Sequence, residues 1–268
     1  MMKRLGIVIV VVFACGLTTS SALAAATPEW VECVKSPSGK LEKGCAKEGG
    51  KGGYEVRSGL GASAGLLVKG ASVTLKTVKG HEVTCATYGE EGERVLPNLL
   101  RKVTITLKSC FKTGTHQKCY GEEEGETGKN PEITSETLAG ELGYISRSPL
   151  KVGIKLSSQA EPGGPVIQKM FCGASAPFSE RWKGSLVAEL RGAVNVSSKK
   201  AMLGYPIGAY LGEVSPGYTP ETDPPLEGEA AGGLIEESKG LGEPWGSPLP
   251  GGFSSGNLKI SGTLMVGA

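Results

Sequence analysis

Val103, Ile105 and Leu107 alternate with Thr104, Thr106 and Lys108 in the run KVTITLKS. That period of two restricts the fold more than any other feature. Successive residues of a strand point to opposite faces, so this run has one apolar face and one wet face. The pattern recurs. Val73 and Leu75 share a face with Thr77 in SVTLKTV. Val152, Ile154 and Leu156 do so in KVGIKL, and Leu258, Ile260, Leu264 and Val266 mark NLKISGTLMV. PVIQKMFC (165–172) and RWKGSLVAEL (181–190) are further strand candidates, although SLVAELRGA also suits a short helix. No stretch carries the 3.6-residue stripe of a long helix. The expected fold is an all-β antiparallel sandwich or barrel. Its turns are expected at the Gly/Glu-rich stretches GEEGE (89–93) and GEEEGETG (121–128), where glycine supplies positive φ and glutamate keeps the tips solvated.

The N-terminus sets the compartment. Lys3 and Arg4 precede an apolar run from Leu5 to Leu17, and Ala22-Leu23-Ala24 forms a cleavage site, with Ala24-Ala25-Ala26 a second choice. Residues 1–24 therefore read as a signal peptide, and 25–268 as a single β domain that is secreted or held in the cell envelope. The apolar run is shorter than the ~20 residues of a spanning helix, and no transmembrane segment is expected in the mature chain. An alternative uses VFAC, ending at Cys15, as a lipobox whose cysteine becomes a lipid anchor. The leader carries two basic residues and no acid. Of 29 basic and 27 acidic residues, 27 of each remain after its removal. A neutral chain has no electrostatic pull toward nucleic acid.

Six cysteines remain beyond Cys15: Cys33, Cys45, Cys85, Cys110, Cys119 and Cys172. An even number behind an export signal predicts three disulfides. Loop length favours Cys33–Cys45 and Cys110–Cys119, which leaves Cys85–Cys172. Such staples suit a chain with 42 glycines, since glycine loses the most backbone entropy on folding. Residues 205–256 hold 8 prolines and 12 glycines and are expected as a Gly/Pro-rich loop or mobile segment before the last strand.

Chemical motifs are few. In GHEVTC, His81, Glu82 and Cys85 imitate the zinc-protease sequence H-E-x-x-H with cysteine in place of the second histidine. That motif works on a helix face. Here the flanks read as strand, on which His81 and Cys85 stand ~13 Å apart. A site built from His81, Cys85, His116 and Cys119 would also break the cysteine pairing. No metal and no cofactor are expected. Ser63 in GASAG resembles a nucleophile elbow, but that motif needs a strand before it and a helix after it. Gly59, Gly61 and Gly65 likewise lack the βαβ unit of a dinucleotide loop. Asp223 is the chain's one aspartate, so a carboxylate enzyme would need two glutamates. Glu90, Glu91 and Glu93, like Glu122, Glu123, Glu124 and Glu126, read as solvated turn tips. Trp30, Trp182 and Trp245 are too scattered for a stacking platform and are expected in core or turn packing. Asn195 opens a glycosylation sequon, NVS, which matters only in a eukaryotic host.

Four stretches, WVECV (30–34), EITSETLAGELGYI (132–145), FCGAS (171–175) and KGSLVAEL (183–190), resemble a family of exported, cysteine-containing proteins of uncharacterised function from soil actinobacteria. The resemblance implies export and brings no catalytic signature. The expected protein is a non-enzymatic exported one, acting by binding or structure on a partner the sequence does not identify. The alternatives are a secreted, polysaccharide-acting hydrolase with a glutamate pair, and a lipid-anchored surface protein.

Overall fold

The computed structural model describes residues 27–49, 52–59, 64–77, 81–121, 131–161, 164–173, 179–205, 234–239, 249–255, 257–261 and 263–268. The leader and Cys15 lie outside the described residues. So do Ser63, Gly61, Glu122–Glu126, Asp223 and Trp245. Among the described residues the regular structure is all strand: β1 Glu29–Lys35, β2 Tyr54–Ser58, β3 Ala64–Gly70, β4 Val73–Thr77, β5 Glu82–Val95, β6 Leu99–Lys112, β7 Gln117–Tyr120, β8 Glu132–Thr134, β9 Leu138–Arg147, β10 Leu150–Ser158, β11 Pro165–Cys172, β12 Ser179–Arg191, β13 Met202–Gly204, β14 Leu234–Lys239, β15 Leu249–Ser255, β16 Asn257–Ile260 and β17 Val266–Gly267. RWKGSLVAEL, for which strand and helix both stood open, lies wholly within strand β12.

Eight of these strands close a ring of antiparallel pairs, β3-β5-β6-β9-β10-β12-β13-β16 and back to β3. This is the antiparallel barrel. The pairings close a second circuit as well, β4-β5-β6-β7-β11-β12-β14-β15 and back to β4. Strands β5, β6 and β12 are long enough to serve both rings. Residues 88–94 of β5 pair with β3, while 82–85 pair with β4. Residues 185–190 of β12 pair with β10, while 179–184 pair with β14. Strands β1, β2 and β17 form a separate three-stranded sheet. Trp30 of β1 is fully buried, and its indole Nε1 donates to the Leu99 carbonyl at 2.9 Å, which fixes this sheet to the start of β6.

The period-two residues form the core. Val73, Leu75, Val103, Ile105, Leu107, Val152, Ile154, Leu156, Leu258 and Ile260 are all buried. Full burial of each such side chain contributes ~1.5–3 kcal/mol relative to exposure. The turn expected at GEEGE is absent. Residues 89–93 lie in the middle of β5, and the chain reverses at Leu96-Pro97-Asn98 instead. Both glycines of GEEGE are accommodated by strand packing. A Cβ on Gly92 would come within 2.8 Å of Val103 Cγ2, beside a register shift between Glu91 and Glu93. Glycine here marks a bulge and a close approach. Within 205–256, Tyr205 is buried, residues 234–239 and 249–255 are strands of the second ring, and residues 206–233 and 240–248 lie outside the described residues.

Three disulfides join Cys33–Cys45, Cys85–Cys110 and Cys119–Cys172. The first matches the loop-length expectation. The other two correct it, and strand register gives the reason. Cys85 stands opposite Cys110 across β5 and β6, and Cys119 opposite Cys172 across β7 and β11. Phe111 opposite Lys118 carries Cys110 beside Cys119 as well. The four cysteines thus form one row over four adjacent strands. A Cys110–Cys119 bond would strand Cys85 and Cys172 three strand spacings apart, ~14 Å, beyond disulfide reach. Tryptic cleavage after Lys108, Lys112 and Lys118 separates these cysteines. Peptide mapping without reduction should link the fragment of Cys85 to that of Cys110, and Cys119 to Cys172. A Cys110–Cys119 link would refute the register.

Candidate functional site

Two places bring chemistry-bearing side chains together. The first is inside the barrel. Tyr88 and Glu90 lie two apart on β5 and share its inward face. Glu90 sits opposite Val68 on β3 and Ile105 on β6, both core residues. It is 2% exposed, which corrects its assignment to a solvated tip. The Tyr88 hydroxyl donates to Glu90 Oε2 at 2.5 Å. The Tyr205 hydroxyl lies 3.4 Å from the same oxygen and 3.0 Å from the Tyr88 hydroxyl. The two rings meet edge to face with centroids 6.0 Å apart. Glu90 Oε1 is buried and has no hydrogen-bond partner among the described residues. Burial pushes the Glu90 carboxyl up to about 7, against the two tyrosine hydrogen bonds, which pull it down. Burial, followed by the nearby Glu90 charge, holds the Tyr88 phenol well above its ordinary value. Glu91, the next residue, is exposed, as alternation requires.

The second place is a groove of about 540 Å³ over the cysteine row, lined by Ala86, Ser109, Phe111, His116, Lys118, Tyr120 and Pro131 as well as Cys110 and Cys119. Its residues come mostly from the β6–β7 hairpin. Cys110 and Cys119 are buried, while their neighbours Phe111 and Lys118 lie on the more open side of the same strands. The imidazole of His116 stacks on the Phe111 ring, centroids 6.0 Å apart and planes 25° from parallel. His116 has φ of 54°, a left-handed conformation that suits a tight hairpin turn. A smaller cavity of about 210 Å³ lies against the N-terminal sheet and is lined in part by Glu32, Cys33, Arg94 and Met265. There the Arg94 guanidinium stands over the Trp30 ring, 5.7 Å from its centroid. Burial lowers the Arg94 pKa and the Glu32 charge opposes that shift.

The residues of the zinc-like motif are not brought together as a ligand set. His81 is exposed just before β5, and His116 is exposed in the β6–β7 turn. Cys85 and Cys119 each hold another cysteine, so neither sulfur is free to bind an ion. Among the described residues no group of three or more His, Cys, Asp and Glu side chains could hold a metal. A hydrolytic glutamate pair would need two carboxylates at one pocket. Glu90 lines neither cavity. Trp30 and Trp182 are both buried in the core. The Asn195 side chain is engaged at both ends by the Ala268 backbone.

Sequence reasoning missed Phe111, Lys118, Tyr120, Tyr88 and Tyr205. The first three could have been found in FKTGTHQKCY, where two aromatic residues flank a Gly-containing turn between cysteines. Tyr88 and Glu90 share a parity with each other in ATYGEEGE, a signal hidden by the glycines.

No protein-family model, no curated protein and no solved structure matches this chain. Fold and site define a disulfide-rich antiparallel β-barrel protein. Its three bridges suit an oxidising extracellular or periplasmic setting.

Proposed function

We propose that this chain is an exported binding protein, secreted or held at the cell envelope, whose ligand seat is the groove over the cysteine row. One observation carries this reading. The groove joins aromatic walls to a floor tied by two disulfides, and its volume falls in the range of small-ligand sites, ~300–1,000 Å³. A floor fixed by covalent bonds loses little further freedom on binding, which favours affinity. The leader-like N-terminus of the sequence supports the same location.

The uncharged fluorophore N-phenyl-1-naphthylamine tests the groove directly. Its emission should rise and shift to the blue on addition of the protein. Phe111→Asp, which replaces the stacked ring with a charge, should weaken that binding at least tenfold. Tyr120→Ser provides a second, independent lesion in the lining. Binding unchanged in both variants would place the apolar site elsewhere on the molecule and sink this reading.

A further inference from the structure

We infer that the groove takes an apolar anion, a carboxylate or sulfonate on an aromatic or short alkyl body, with Lys118 as its charge partner. This rests on the groove being the ligand seat. The argument is one of charge complementarity. Three lysines of the β6–β7 hairpin stand near the cysteine row: Lys108, Lys112 and Lys118. Glu132 engages the Lys108 ammonium, and Glu180 engages that of Lys112 at 3.3 Å. Lys118 differs. It lines the groove, and among the described residues that lining contains no carboxylate. Its strand position is directly opposite Phe111, where facing side chains lie ~5 Å apart at Cβ.

A lysine is therefore paired across the two strands with a phenylalanine whose ring is itself stacked on an imidazole. The rest of the described lining is apolar or weakly polar: Ala86, Ser109, Tyr120, Pro131 and the two cystine sulfurs. A ligand that fills this space needs a flat or slender hydrocarbon body. One negative group at the hairpin end would meet Lys118, with the His116 ring as a neighbouring hydrogen-bonding group. Among the described lining residues a cationic ligand would find no carboxylate to offset that charge, and an uncharged one would supply no counter-charge.

The test compares 2-naphthoate with 2-naphthamide, which share a body and differ in charge. Each displaces N-phenyl-1-naphthylamine from the native protein at pH 7. Naphthoate should displace it at a concentration at least tenfold lower. Lys118→Gln changes an exposed side chain and should bring the two compounds to parity, each measured against the fluorophore's own affinity for that variant. Equal displacement by the two compounds in the native protein would overturn the anion assignment and leave the groove intact as a binding site. Failure of both to displace a bound fluorophore would instead overturn the groove reading and this inference with it.

Discussion

Glu90→Gln should make the protein more stable at pH 8 by about 3 kcal/mol relative to the change it causes at pH 4.5. The sign follows from the direction of the shift. Burial raises the folded-state pKa of Glu90 from 4.5 to about 7, so the folded protein holds that proton more tightly than the unfolded chain does. The stabilisation is complete below pH 4.5. It is lost as pH climbs toward 7, and stability is then flat with respect to this group. Glutamine is neutral throughout and removes the dependence. The measurement is denaturant unfolding of both proteins, disulfides intact, at several values between pH 4.5 and 8. Any constant cost of the amide, for instance from its fit against Tyr88 and Tyr205, cancels in the comparison across pH. Identical pH profiles for the two proteins would mean that Glu90 does not titrate in the barrel interior.

Replacing Cys119 and Cys172 together by alanine should cost ~4 kcal/mol on the chain-entropy model, for a closed loop of 53 residues. The more telling effect is local. Strands β7 and β11 meet through only two residue pairs, Phe171 with Tyr120 and Cys172 with Cys119. The bridge therefore holds one of the two shortest seams of the second ring, and the one with no hairpin to join its strands. Amides of β7 and β11 should exchange with solvent much faster in the double variant, while those of β9 and β10 keep their protection. The corresponding change at Cys33 and Cys45 opens a loop of 12 residues, is expected to cost ~3 kcal/mol, and should affect the β1–β2 sheet alone. Uniform exchange across both rings after loss of Cys119–Cys172 would contradict the seam. Reduced fluorophore binding in that variant would tie the groove floor to the same bond.

Strands such as Val103–Leu107 and Val152–Leu156 were legible because a half-buried strand writes its burial pattern into every second residue. Glu90 was not legible for the opposite reason. Its neighbours Gly89 and Gly92 carry no apolar side chain, so the run reads as turn although the ladder continues through it. Disulfide connectivity was out of reach because it depends on which strands lie side by side. Cys110 and Cys172 are brought to their partners by pairings that loop length does not encode. The groove fell between these cases: Phe111 and Tyr120 are visible in FKTGTHQKCY, but their common site depends on the hairpin register.

Strands β15 and β16 follow one another within residues 249–260, and this short stretch closes both circuits, β15 against β4 and β16 against β3. Leu75 waits for Phe253, and Val68 for Ile260. A chain that emerges N-terminus first must present the open edges of β3 and β4 until residues 249–260 have been delivered. Such pairings, distant in sequence, fold slowly and leave template edges exposed in the meantime. The segment 249–260 acts as a keystone, since both circuits need it to close. Until it is set, the half-built molecule is the form most open to aggregation and to mispaired cysteines.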